Sequence, residues 1–309
     1  MTSRQMTVSL IVCLLVALIG CHEVENKTEN RVIGVSLLTR AQIFYRDLED
    51  GLRAEAEKHG FKLIIAAADF DLGKQISQVE DFVAQRVSAI ILCPVDSRGV
   101  GSAVRSANRA GIPVFTADIA AQEGDVVSHI ASDNVAGGRQ AGNYLARVLK
   151  GEGEIAIINQ PALTSVLDRV QGFQQEIAKF PGIRIVADVN GQGVRDKALQ
   201  AASDALQAHP DLKGIFGIND DSALGALDAV QQFKRSGIVI VGYDATPPAR
   251  DAILRDSALK ADVIQFPKKI GATTVATIDA YFTGKSVPGL IPVEVGLVDK
   301  ERLLETIDR

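Results

Sequence analysis

VIGVSLLTRAQIFYRDLEDGLRAEAEKHGFKLIIA, residues 32–66, decides the fold. Val32–Leu38 is a near-continuous apolar run rich in branched side chains, the composition of a strand buried on both faces. Past it the period changes: Phe44, Leu48, Leu52 and Ala56 recur every four residues, which places them on one face of a helix running to His59. Gly60 stands where a helix end favours a residue that tolerates positive φ. Leu63–Ala66 then resumes an apolar run. Strand, amphipathic helix, strand is the unit of a parallel sheet.

The unit repeats along the chain. Further strands are expected at Ala89–Leu92, Val114–Ala117, Val127–Ala131, Ile155–Ile158, Ile183–Val189, Gly214–Ile218, Ile238–Tyr243 and Leu259–Ile264. A second clear helix runs from Asp220 to Lys234, with Leu224, Leu227 and Val230 on its stripe. Continuous rather than alternating apolar strands suit parallel sheets covered by helices on both faces. These strands exceed one comfortable open sheet, and the composition repeats itself on either side of about residue 132. The expected class is α/β, with two doubly wound parallel-sheet lobes. A length of 309 residues agrees with two domains.

The charge balance is 33 basic against 38 acidic residues, a formal net of -5, with no basic stripe. Nucleic acid is thereby excluded as an expected partner, and a small neutral solute is easier to accommodate than a polyanion. Near the N-terminus Arg4 precedes the apolar run VSLIVCLLVALI, residues 8–19. As a helix it spans about 18 Å, short of the ~30 Å hydrocarbon core, so it reads as a signal-peptide apolar region rather than a membrane span. Leu18-Ile19-Gly20-Cys21 looks like a bacterial lipobox, which implies cleavage before Cys21 and lipidation of its thiol. Residues 1–20 are then a signal peptide and residues 21–30 a polar tether. An uncleaved anchor is the alternative, and it too places the rest outside the cytoplasm. Cys13 leaves with the signal and Cys21 carries lipid, so Cys93 is the one thiol of the body, and no internal disulfide is expected.

Catalytic signatures are missing. His22, His59, His129 and His209 are isolated, and neither a nucleophile elbow nor a P-loop occurs. Gly191-Gln192-Gly193 lacks the third glycine of a dinucleotide fingerprint and reads as a strand-to-helix turn, and Gly151-Glu152-Gly153 precedes a strand, the wrong side for phosphate. No enzyme activity, cofactor or metal is expected.

Several runs are more specific. They are VVSHIASDN (residues 126–134), GFQQ (172–175), AHPD (208–211), Asn219-Asp220, ALGAL (223–227) and VGYDATP (241–247). Through them the chain resembles, over residues 31–298, the ribose-binding-protein group of type I periplasmic binding proteins. That resemblance implies discontinuous lobes: residues 31–132 with 266–293, and residues 133–265 with 294–309. Three hinge crossings are implied near Ser132, Gln265 and Val293. It also implies a monomeric, exported receptor that closes over a monosaccharide and delivers it to the permease of an ABC importer. The alternative within the fold is a sensor presenting its closed form to a membrane kinase or chemoreceptor. A transcription regulator of this fold would need a DNA-binding region where the apolar signal stands.

In open parallel sheets, ligands bind beyond the carboxyl ends of the strands. Gln42, Phe44 and Tyr45 follow the first strand, Asp118 closes the fourth, Asn219 and Asp244 close two later ones, Gln265 follows the last, and Arg169 begins a helix after Ile155–Ile158. The family pattern assigns ligand contacts to these positions. Carboxylates accept from neighbouring hydroxyls, arginine donates through a planar fork, amides do both, and aromatic rings cover C–H faces. Each position also has a bland alternative as a cap, core or surface residue. Departures are equally plain. Ile119 replaces an arginine of the ribose pattern, Cys93 an asparagine and Gln42 another asparagine, and the pattern's helix-start stacking aromatic aligns near Gly193, which leaves the ring stacked from one side only. Arg40 is a substitute cation and Cys93 a further contact to be tested. A different pentose or hexose, or a less hydroxylated ligand, stays open.

Overall fold

The computed structural model describes residues 31–307. The expected signal segment, lipidated Cys21 and polar tether lie outside the described residues. In chain order the elements are β1 (Val32–Leu37), α1 (Ile43–Lys58), β2 (Lys62–Ala67), α2 (Leu72–Ala84), β3 (Ala89–Leu92), α3 (Gly101–Arg109), β4 (Val114–Ala117) and β5 (Ser128–Ser132). Then come α4 (Asn134–Val148), β6 (Glu152–Asn159), α5 (Thr164–Ile177), β7 (Gly182–Asn190), α6 (Arg195–Ala208), β8 (Leu212–Gly217), α7 (Asp220–Gln232), β9 (Val239–Asp244), α8 (Pro247–Leu254) and β10 (Leu259–Ile264). The chain finishes with α9 (Pro267–Phe282), β11 (Leu290–Val293), β12 (Gly296–Asp299) and α10 (Lys300–Ile307).

The strands form two sheets, ordered β11-β5-β4-β3-β1-β2 and β12-β10-β9-β8-β6-β7. Every pairing is parallel except that of the edge strand β12 with β10. The chain therefore passes between sheets after β5, after β10 and after β11. These are the three crossings of a type I periplasmic binding fold. Strands β3 and β4 are buried at every position, as continuous apolar runs require. Helix α1 buries Phe44, Leu48, Leu52 and Ala56, and each large side chain removed from water contributes about 1.5–3 kcal/mol. Gly60 takes φ 67 directly after that helix.

Helices pack at backbone distance where glycine allows it. A Cβ at Gly51 would fall 2.1 Å from the Lys268 carbonyl oxygen, which fixes α1 against α9. Across α4 and α5, a Cβ at Gly138 would fall 2.0 Å from the carbonyl oxygen of Arg169, and one at Gly172 would fall 2.1 Å from that of Val135. No larger residue fits there without moving a helix. The Gly138 contact sets the height of Arg169 over its sheet.

Two strands escaped the sequence reading. Strands β11 and β12 are four residues each and only partly buried; β11 contains Pro292, and β12 has only Leu297 and Val298 as apolar residues. Both are edge strands, where half the backbone needs no partner and proline is tolerated.

Candidate functional site

The carboxyl ends of β1, β4, β6, β8, β9 and β10 converge on a tight cavity of about 30 Å³. Gln42, Phe44, Tyr45, Asp118, Arg169, Asn219, Asp244 and Gln265 all line it. Residues taken from both sheets thus meet at one place. The backbone is strained at two of the strand ends, with φ 68 at Asp118, and φ 123 and 54 at Asp244 and Ala245. Non-glycine residues hold such angles only where the surroundings over-determine them.

On the first sheet, the Tyr45 hydroxyl donates to Asp118 Oδ2 at 2.7 Å, and Asp118 Oδ1 has no partner. Burial pushes the Asp118 carboxyl up, with the nearby Arg169 guanidinium and the Tyr45 hydrogen bond pulling the other way. Burial also pushes the Tyr45 phenol well above its ordinary value.

Arg169 sits in the second turn of α5 rather than at its start. Its Nε donates to Asn134 Oδ1 at 2.9 Å, its Nη1 donates to the Ile218 carbonyl at 2.8 Å, and its guanidinium lies 4.0 Å over the Tyr243 ring. Two donors and one face are thus committed to protein, and Nη2 stands 4.0 Å from Asp118 Oδ1. Asn134 was not foreseen, because its role is to hold another side chain.

Asn219 is both helix cap and cavity wall. Its Oδ1 accepts from the Ser222 backbone N–H at 2.9 Å, while its Nδ2 donates to the Gly193 carbonyl at 3.0 Å. Gln265 Nε2 donates to Asp244 Oδ1 at 2.6 Å and leaves Gln265 Oε1 buried with no partner. Behind Asp244 lie two more buried carboxyls. Asp220 accepts at Oδ2 from the N–H and hydroxyl of Thr246, and Asp262 accepts at Oδ1 from the Ala245 N–H. Burial raises all three, Asp220 to about 6 and the other two well above the carboxylate range, with the charge of Asp220 adding to the burial of Asp244 and Asp262.

Direct bonds close the cleft on both rims. Gln42 Nε2 donates to the Gly193 carbonyl and to Asp221 Oδ2, each at 2.9 Å. On the other rim, the Ser97 N–H donates to the Ala162 carbonyl at 3.1 Å, the Thr164 N–H to Ser97 Oγ at 3.0 Å, and the Ala120 N–H to Thr164 Oγ1 at 3.0 Å.

Two residues singled out in the sequence are not in the lining. Arg40 is exposed and pairs with Glu49, Nε to Oε2 at 2.7 Å, so its cation is spent outside the cavity. Cys93 is fully buried in the core, its carbonyl accepting from Gln75 Nε2 at 2.9 Å. Lining residues that were missed include Leu38, Phe70, Gln160, Leu163, Ser165, Val166 and Ile218. Leu38, Gln160 and Ile218 each directly follow a strand, but the sequence reading ran two of those strands one residue long and counted Leu38 and Ile218 as strand residues. Gln160 also explains Gly193: a Cβ there would fall 2.1 Å from Gln160 Oε1, so the amide occupies the space a larger side chain would take.

Comparison with known proteins agrees with this fold. The ribose import binding protein RbsB of Escherichia coli strain K12 is 37% identical over 278 residues, 89% of this chain and 93% of that protein. Ribose import binding protein RbsB of Bacillus subtilis strain 168 is 36% identical over 266 residues, 86% of each. A crystal structure of an ABC transporter solute binding protein from Mycobacterium smegmatis, with bound glycerol, superposes with a TM-score of 0.84 at 33% identity, covering 89% of this chain and 96% of that one. The sequence pattern of the periplasmic binding protein domain matches residues 33–286, and with a fold, a cleft and relatives that all agree, this chain belongs to that family.

Proposed function

We propose that the protein is an exported receptor that captures a monosaccharide in its interlobe cavity and delivers it to an ABC importer. Residues 31–132 with 266–293 act as one lobe and residues 133–265 with 294–309 as the other. The observation that carries this reading is the pair of buried, unpartnered acceptors, Asp118 Oδ1 and Gln265 Oε1, at the same cavity. Buried acceptors without donors are rare in native proteins, and ligand hydroxyls would satisfy both. The related import proteins, named for ribose, favour a sugar over another polar solute.

Closure follows from the same groups. Asp118 belongs to the first sheet and Arg169, Asn219 and Asp244 to the second, so only the closed form offers a ligand both sets of contacts. A permease then reads the closed surface. Lipidation at Cys21 would hold the receptor at the membrane as a monomer. Thermal-shift screening of the purified protein against a panel of pentoses, hexoses and polyols tests the assignment. A rise in melting temperature with a subset of sugars is expected, and no shift with any of them overturns it.

A further inference from the structure

Where β9 ends, the chain bends sharply, with φ 123 at Asp244 and 54 at Ala245. Two carboxyls behind the cavity hold that turn. Asp262 Oδ1 accepts from the Ala245 N–H at 2.9 Å, and Asp220 Oδ2 accepts from the Thr246 N–H at 2.7 Å and from the Thr246 hydroxyl. The Asp220 N–H in turn donates to Asp244 Oδ2 at 3.4 Å. Both carboxyls are buried, and a Cβ at Gly242 would fall 2.3 Å from Asp262 Oδ2, so only glycine leaves that oxygen its place. The two carboxyls are also hydrogen-bonded to each other. Among the described residues, neither Asp220 Oδ1 nor Asp262 Oδ2 receives a hydrogen bond from any other group. Two carboxyl oxygens bond only through a proton, and two bare negative charges side by side in the interior repel strongly.

We propose that Asp220 and Asp262 share one proton, between Oδ1 of the first and Oδ2 of the second, and that the joined pair is a clamp that positions Asp244 at the cavity. Neither lines the cavity, so both act on a ligand only through the turn. The inference rests on the sugar-site reading for its effect on affinity, and its effect on stability stands without that reading. The charged neighbours supply no substitute for the proton. Asp221 and Asp244 are themselves acids acting on the pair, Arg169 acts on Asp244, and Arg250 Nε donates to the Ala245 carbonyl at 2.6 Å. Burial raises both carboxyls, in keeping with a proton retained where an exposed carboxyl has lost it.

An amide can replace the shared proton once but not twice. In Asp262→Asn the amide still accepts from Ala245 and donates to Asp220; in Asp220→Asn it accepts from Thr246 and donates to Asp262. In the double variant two NH2 groups meet, and turning either amide round sets it against a backbone N–H instead. By titration calorimetry with the sugar that most raises the wild-type melting temperature, the double variant should bind about tenfold or more weakly than either single. It should also melt below both. Two carboxylates that merely repelled each other would make the double variant the most stable; that result, or single variants that fall as far as the double, overturns the clamp. A pH series decides without the double variant. The folded pair keeps a proton that the unfolded chain releases near pH 4, so its contribution to wild-type stability falls as pH rises, and Asp262→Asn has no such proton to lose. The melting temperature of Asp262→Asn relative to wild type should therefore rise from pH 5 to pH 8, and a constant difference overturns the shared proton. If no sugar binds wild type, the receptor reading falls, while the melts still judge the clamp.

Discussion

Asp118 Oδ1, at the end of β4, and Arg169 Nη2, from helix α5, stand 4.0 Å apart at the cavity. That separation is too long for a direct hydrogen bond, and one hydroxyl placed between them can touch both. Asp118→Asn keeps the shape and removes the charge that accepts from a ligand hydroxyl. It should weaken sugar binding by roughly 10- to 100-fold, the worth of a charge-assisted hydrogen bond, as read by titration calorimetry. Undiminished affinity would show that Asp118 does not contact ligand.

Tyr45 and Asp118 lie on the same sheet's side of the cleft, so their 2.7 Å bond persists whether the cleft is open or closed. Tyr45→Phe leaves Asp118 Oδ2 buried without its donor. Urea unfolding of the unliganded protein should show a loss of about 1–3 kcal/mol. A stability equal to wild type would mean that water replaces the phenol at no cost.

Gly138→Ala drives a methyl group onto the Arg169 carbonyl, where a Cβ has only 2.0 Å. Overpacking of this kind costs about 1–3 kcal/mol, and here it also displaces the residue that carries the cavity's guanidinium. Both stability and sugar affinity should fall. Gly289→Ala, where a Cβ meets nothing within 4 Å, is the control and should change neither.

His129 and the buried carboxyls give opposite pH dependences. Burial pushes His129 down to about 4, so between pH 4 and 6.5 the unfolded chain binds more protons at this position than the folded one. Its contribution is therefore present above pH 6.5 and is lost as pH falls. Asp220, raised to about 6, works the other way: the folded state holds the extra proton, and its stability contribution declines as pH rises from about 4 through 6. Wild type superimposes the two. The stability of wild type minus that of His129→Gln isolates the histidine and should drop by about 2 kcal/mol from pH 7 to pH 5. A flat difference would place a proton on His129 in the folded state.

The fold was legible because parallel strands buried on both faces leave continuous apolar runs. Leu259–Ile264 was read to the residue, and Asp220–Lys234 to within two residues of its end. β11 and β12 were not legible, since an edge strand needs neither a full apolar run nor freedom from proline. At the site, charged and amide groups at strand ends were visible, as was Tyr45. The apolar part of the lining was not, because Leu163 and Val166 look like core residues until coordinates place them at the cavity. Arg40 misled for the converse reason. Its sequence position borders the cavity, but Glu49 on the next helix captures the side chain.

The most direct measurement is a crystal structure of the protein with the tightest-binding sugar of the panel. Ligand hydroxyls are expected within about 3.2 Å of Asp118 Oδ1, Arg169 Nη2 and Gln265 Oε1 together, with residues of both sheets touching one molecule. A ligand bound outside this cavity, or one that leaves Asp118 Oδ1 and Gln265 Oε1 still unpaired, would contradict the claim that the two halves of the chain converge to grip a sugar.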